Sequence, residues 1–478
     1  MIILIPFYAG VVAILLTLLS LYRLAAKPDF PSFALSLPGF ALWCSIMILI
    51  GSSYWIRRLT AQGPPSQHRI HRAALLVNLS LTVMVTVGAE LVIRARSVDT
   101  LEGTRIGRVL LHPLDWSQVV AHHQPILDRI SHERPFFQYD PLLGWVVTPN
   151  HHSSNGLYRS SIEGLRSPEI GLSFADLRIR LTGQTDRPAL HRIALLGDSM
   201  TFGHEVRCEE SWPHVLERNL TPDVQILNFA VSGYSLSQTF LKYRRDVRLW
   251  HPRVVVIGVT SSDILRIMSI YNFLYSPTGV EFPYARPRLV TAASNWQPVN
   301  LPLPTPKEIF AHASVRDLPH LNHDRYFHEF DWPRRDSWQL LEWSYLFRFL
   351  SSIRPVVTPL PSSHTDNALA DLASTVLAAF VEEVHRDGAV PLIVHLPYQD
   401  ELLAEAEGRS IAPPRGATLL RRTGIPFVET TPCLIAARSF DSFAPGGHYT
   451  APANAAIAGC LADTLRPMLR VDGEKTRG

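Results

Sequence analysis

Apolar positions crowd the start of this 478-residue chain and then change rhythm. Three uncharged stretches come first: Ile2 to Tyr22, Phe33 to Ile56, and Ala73 to Ala89 with an apolar fringe to Ile93. The hydrocarbon core of a bilayer takes about 20 helical residues, so the first two are long enough and the third just reaches. They predict three N-terminal transmembrane helices within residues 1–95. The first stretch lacks the cationic start of a cleaved signal peptide, and two more follow it. Residues 96–190 are a polar transition and accessory segment. Within it, Tyr139-Asp140-Pro141-Leu142-Leu143-Gly144-Trp145 and Gly164-Leu165-Arg166 read as short ordered pieces; Asp-Pro before Gly-Trp is a turn with an aromatic anchor.

From Arg192 onward, short apolar runs alternate with longer helical patterns. Strands are predicted at Ile193–Leu196, Val224–Asn228, Val254–Val259 and Val390–Leu396, with a weaker one at Pro426–Glu429. Helices are predicted at Ser211–Leu220, Leu236–Trp250, Leu369–Asp387 and Pro452–Leu469. This alternation is the signature of parallel βαβ units. It predicts an α/β domain over residues 191–470, a three-layer sandwich with a mainly parallel sheet. An insertion at about residues 270–361 interrupts the pattern, rich in proline and aromatics. Little regular structure is expected there beyond an amphipathic helix near Ser337–Ser351, and a long loop of this kind is expected to cover a substrate cleft.

Charge orients the picture. The second inter-span link carries Arg57, Arg58, Arg69 and Arg72, the first only Arg23 and Lys27. Positive loops stay cytoplasmic, which puts everything after the third span outside, periplasmic or extracellular. Glu90 and Arg94, four apart near a helix end, read as an ion pair or as side chains reaching the interface. A formal net charge of +3, without a basic stripe interleaved with aromatics, argues against a nucleic-acid partner. Cys44 lies in the second stretch; Cys208, Cys433 and Cys460 allow at most one disulfide, and Cys460 reads as core by its spacing.

Four predicted strand ends or loops carry residues fit for chemistry. Gly197-Asp198-Ser199-Met200-Thr201-Phe202-Gly203 bends the chain after the first strand and presents a serine where ligands of open α/β sheets collect. Asn228-Phe229-Ala230-Val231-Ser232-Gly233-Tyr234 closes the second, and Gly233 lets backbone N–H approach a ligand. Gly258-Val259-Thr260-Ser261-Ser262-Asp263 closes the third, with Asp263 read as a helix cap. Gly446-Gly447-His448-Tyr449-Thr450-Ala451-Pro452-Ala453-Asn454 leads into the last helix and offers a base. A serine hydroxyl needs such a base, and donors for the oxyanion it creates. His204-Glu205 lacks the second histidine of a metalloprotease helix, and His68 with His71, like His151-His152, reads as a solvated pair.

These blocks resemble those of the SGNH (GDSL) hydrolases, in their membrane-anchored bacterial form. The resemblance spans about residues 139–469. It implies Ser199 as nucleophile, His448 as base, and an oxyanion hole from the N–H groups of Ser199 and Gly233. In the third block the family's asparagine is Ser262 here, a shorter donor. In the last block its aspartate position is Pro445, and the nearest upstream carboxylate able to orient His448 is Asp441. The resemblance implies an esterase cleaving O-acyl esters without metal or cofactor. The outward location points to acetylated glycans or lipids of the envelope. The alternatives are an O-acyltransferase acting on an exported polysaccharide, and a catalytically degenerate binding or scaffold module.

Overall fold

Strands buried on both faces are apolar throughout, and the apolar runs here become one parallel sheet. The computed structural model describes residues 68–175, 191–275, 282–329, 343–352, 363–409, 416–437 and 443–470, apart from short internal gaps, and a few earlier positions. Strands β1 (His191–Leu196), β2 (Val224–Asn228), β3 (Val254–Val259), β4 (Val390–His395) and β5 (Val428–Glu429) lie in the order β5-β4-β3-β1-β2. Every neighbouring pair is parallel, with Leu195 opposite Val256 on one side and Asn228 on the other. This is the flavodoxin-like succession, whose ligand crevice opens where the first and third strands lie side by side. That switch point is the gap between the carboxyl ends of β1 and β3.

The connections supply α1 (Ser199–Phe202), α2 (Trp212–Asn219), α3 (Leu236–Lys242), α4 (Ser261–Leu265), α5 (Ser363–Arg386), α6 (Gln399–Ala406) and α7 (Ala451–Arg470). Successive strand residues point to opposite faces. Ile193, Leu195, Val254 and Val256 therefore join one core with Trp212 and Leu216 of α2 and Ile457, Leu461 and Leu465 of α7. Ala194, Leu196, Val255, Ile257 and Val259 join the other, with Phe240 of α3 and Leu369, Ala373, Val376 and Phe380 of α5. The i, i+3, i+4 spacing along α5 and α7 supplies the matching stripes. Two cores on one sheet make three layers.

Two expectations change. Cys460 lies beside the Ile457–Leu461 stripe and is only part-buried; it is bonded to Cys433, 27 residues earlier, with Cα atoms 6.2 Å apart. The insertion is also more ordered than its prolines suggest. Leu289–Ala292 pairs antiparallel with Asn295–Pro298, and Tyr271, Tyr284, Arg286 and Leu289 are buried. A buried guanidinium needs partners, and Arg286 finds them in Asn272 and Ser269. The helix expected near Ser337–Ser351 is observed at Tyr345–Ser352.

The chain divides into two compact units, Met1–Gln124 with Ser276–Glu281 and Asp331–Pro359, and Pro125–Tyr275 with Phe282–Phe330 and Leu360–Gly478. In the first, a helix from His68 to Arg96 packs Ala89 and Ile93 against Leu346 and Phe349. Glu90 pairs with Arg94 at 3.0 Å, as its spacing suggests. It also accepts the N–H groups of Tyr345 and Leu346 and the hydroxyl of Ser344, so it caps the Tyr345–Ser352 helix from outside. The first two expected membrane spans lie outside the described residues, and the third coincides with the His68–Arg96 helix. Among the described residues, no helix is long and apolar enough to cross a membrane.

Candidate active site

The turn after β1 is built by close packing. Gly197 has φ +148°, and a Cβ there would lie 2.5 Å from the Thr201 hydroxyl and 2.6 Å from the Gly258 carbonyl oxygen. Only glycine lets β1 and β3 close around Thr201. Asp198 then caps α1, accepting the Met200 N–H at 2.9 Å. Its second oxygen accepts from the Thr260 hydroxyl at 3.1 Å and faces Arg266 at 3.4 Å. Asp198 thus clamps the Ser199 turn to the end of β3. Ser199 opens α1 and is 9% exposed. Its N–H lies in the first helical turn, where the helix itself offers no acceptor.

His448 meets this serine. The Ser199 hydroxyl and His448 Nε2 are 2.9 Å apart, although 249 residues separate them in the chain. On the other side of the ring, His448 Nδ1 lies 2.8 Å from Glu205 Oε2. Glu205 also accepts the His448 backbone N–H at 3.1 Å and the Gly446 N–H at 2.9 Å. An ionised carboxylate has no proton to give, so Nδ1 carries the hydrogen and Nε2 turns a lone pair to the serine. Burial pushes the Glu205 carboxyl up. The His448 ring and the two backbone donors outweigh it and hold the group below the usual carboxylate range.

Glu205 is the residue that sequence reasoning missed. The acid expected behind His448, Asp441, lies outside the described residues, and Glu205 fills the Nδ1 position. Two features of the structure place it there. Glu205 follows Ser199 by six residues, just past Gly203, a left-handed helix end at φ +80°. Gly446 stands where a side chain could not: a Cβ there would lie 2.6 Å from the Glu205 carboxylate. Glu205 itself is left-handed at φ +64°, uncommon for a residue other than glycine, and that bend sends its side chain back towards α1. Its N–H donates to the Tyr158 hydroxyl at 3.0 Å.

The loop after β2 runs alongside. Val231 N–H donates to the Gly197 carbonyl at 3.1 Å, tying this loop to the Ser199 turn. Gly233 is left-handed at φ +80°. The Ser232 hydroxyl lies 3.2 Å from His204 Nδ1, and the His204 ring packs 4.6 Å from that of His448. Burial, then the neighbouring His448, lowers His204 to about 4, so it adds no positive charge beside His448. Ser262 lies in the first turn of α4 and is half-buried. Asp263 completes the cap of α4, accepting the Thr260 N–H at 2.8 Å, and burial followed by the nearby Asp198 pushes its carboxyl well up.

No protein-family model and no curated protein matches the chain. Solved structures do overlap part of it. TesA is 11% identical, covering 58% of this chain and 99% of its own with a TM-score of 0.28. A member of the lipolytic G-D-S-L family from Veillonella parvula is 10% identical, covering 57% and 96% with a TM-score of 0.29. An acetylxylan esterase from Geobacillus stearothermophilus is 12% identical, covering 59% and 94%, again at 0.29. At these identities and scores the overlap is too slight to carry an argument about activity.

Proposed function

We propose that this chain is a membrane-anchored serine hydrolase of SGNH type that cleaves O-acyl esters. The observation that carries this reading is the unbroken line from Ser199 through His448 to Glu205, at 2.9 and 2.8 Å, at the switch point of the sheet. In this mechanism Ser199 Oγ attacks the ester carbonyl while His448 Nε2 takes its proton. The carbonyl oxygen, now negative, is received by the N–H groups of Ser199 and Gly233. Collapse of the adduct expels the alcohol, which takes the proton back from His448. Water then repeats the sequence on the acyl-serine and releases the acid. Glu205 holds the imidazole in its tautomer and balances the charge it gains. In this scheme the Ser262 hydroxyl adds a third donor to the oxyanion.

An outward-facing domain would meet acetylated glycans or lipids of the envelope. Two features support that location. Leu76, Val83, Met84, Val87 and Leu91 are exposed on the His68–Arg96 helix, an apolar surface suited to lipid. The Cys433–Cys460 bond fits an oxidising compartment. The test is a fluorophosphonate probe together with a short-chain aryl ester. Labelling is expected in the native protein and lost in Ser199→Ala, with ester hydrolysis reduced by roughly 10⁴-fold or more. Labelling that persists in the variant overturns Ser199 as nucleophile, and acyl transfer to an added glycan in place of free acid would reassign the reaction to an acyltransferase.

A further inference from the structure

The peptide plane between Ser232 and Gly233 has two ends. One is the Gly233 N–H, which the reading above aims at the oxyanion. The other is the Ser232 carbonyl, and the Trp145 indole N–H donates to it at 2.9 Å. We propose that Trp145 is a positioning residue of the oxyanion site: through the Ser232 carbonyl it fixes the direction of the Gly233 N–H and strengthens it as a donor. The proposal rests on the hydrolase reading.

A hydrogen bond accepted at a peptide oxygen polarises that peptide and makes its N–H a better donor, by roughly 10–30% per bond. The direction depends on an indole that cannot turn, and this one is held from every side. Trp145 is fully buried. Its ring stacks on Phe282 at 5.1 Å and Tyr284 at 5.9 Å, with the Arg286 guanidinium 5.3 Å above it. Its own carbonyl accepts the Tyr234 hydroxyl at 2.6 Å. A Cβ on Gly233 would lie 3.3 Å from the indole, so the glycine backbone rests directly against the ring. The next carbonyl, that of Gly233, accepts from Arg286 at 3.3 Å. Both peptide planes of the glycine are therefore set from behind by buried donors, one from the accessory segment and one from the insertion.

Trp145→Phe keeps an aromatic ring and removes the N–H. The expected result is a kcat about 10-fold lower on an aryl ester, short of the 10²–10³ for deleting a donor outright. KM should stay within about twofold, and fluorophosphonate inactivation should slow in proportion to kcat. Trp145→His returns a ring N–H near the same place and should recover part of the loss. Phe380→Leu loosens the same core from α5, where its ring packs on Tyr243, and should keep kcat within about twofold. Unchanged kcat in Trp145→Phe, a loss carried by KM, or an equal loss in Phe380→Leu would each overturn the proposal. If Trp145→Phe does not fold, Trp145→Leu takes its place in the same comparison. A native protein that the probe never labels defeats the hydrolase reading instead, and that is seen before any Trp145 variant is made.

Discussion

The Ser199–His448–Glu205 line has a counterpart at the same edge of the sheet, made of Ser261, Glu401 and His395. The residue types are identical and the order differs. In the first trio the imidazole stands in the middle, both nitrogens paired. In the second the carboxylate does: Ser261 donates to Glu401 Oε1, the Tyr398 N–H donates to Oε2 at 2.8 Å, and His395 Nε2 stays 3.9 Å away. Neither ring nitrogen of His395 has a hydrogen-bond partner among the described residues. Access differs as well. The side chains of His448 and Glu205 are 20% and 23% exposed, those of His395 and Glu401 only 2% and 9%. Gly416 backs onto Glu401 and His395 with no room for a Cβ. Burial, then Arg421, lowers His395 to about 3, so it stays neutral and cannot serve as a base that cycles through a proton. Composition alone does not make a catalytic cluster; the imidazole must link the other two and reach solvent.

The sharpest way to break this contrast is to remove each histidine. His448→Ala should lower kcat/KM for an aryl ester by about 10²–10⁴-fold. His395→Asn should leave it within about threefold, and comparable losses would erase the distinction. Next comes the acid. Glu205→Gln keeps the shape but offers His448 an amide, and a fall in kcat of about 10²-fold is expected with KM little changed. Full activity in that variant would move the acid's role to another residue, Asp441 first.

Smaller effects fall on stability. Thr430 donates to the His395 carbonyl at 2.7 Å, and Cys433 lies three residues on, bonded to Cys460 of α7. Removing that crosslink with Cys460→Ser should cost about 2–4 kcal/mol in urea unfolding while kcat of the folded protein holds. A parallel loss of kcat would tie the crosslink to the active site. The last effect is a slope. His395 titrates at about 3 when folded and near 6.5 when unfolded, so between those values only the unfolded chain binds the proton. Its contribution is complete above pH 6.5 and declines as pH falls through the window, by at most about 1.4 kcal/mol per pH unit. His395→Asn should flatten the acid side of the stability curve; an unaltered slope would place His395 in a more solvated setting than its burial indicates.

Much of the fold was legible because parallel strands are continuous apolar runs, as at Val254–Val259, and neighbouring helices carry stripes of matching period. The meeting of Ser199 and His448 was legible because one follows a strand end and the other sits in a glycine-marked loop. Glu205 was not. Its role depends on a left-handed residue just past a four-residue helix, which leaves no periodic trace, and its adjacency to His204 drew it towards a metal motif. The hairpin at Leu289–Pro298 was hidden by prolines that sit beside it and at its last position. Cys460 was hidden by lying one position from an apolar stripe. In each case local pattern was overruled by a partner far away in the chain.

Glu205 also changes how the Ser199–His448–Glu205 line is assembled. Ser199 and Glu205 arrive on one short stretch, so a single meeting, between that stretch and the segment ahead of α7, completes all three positions. The chain entropy of closing a loop of some 240 residues is met once, for both contacts of His448.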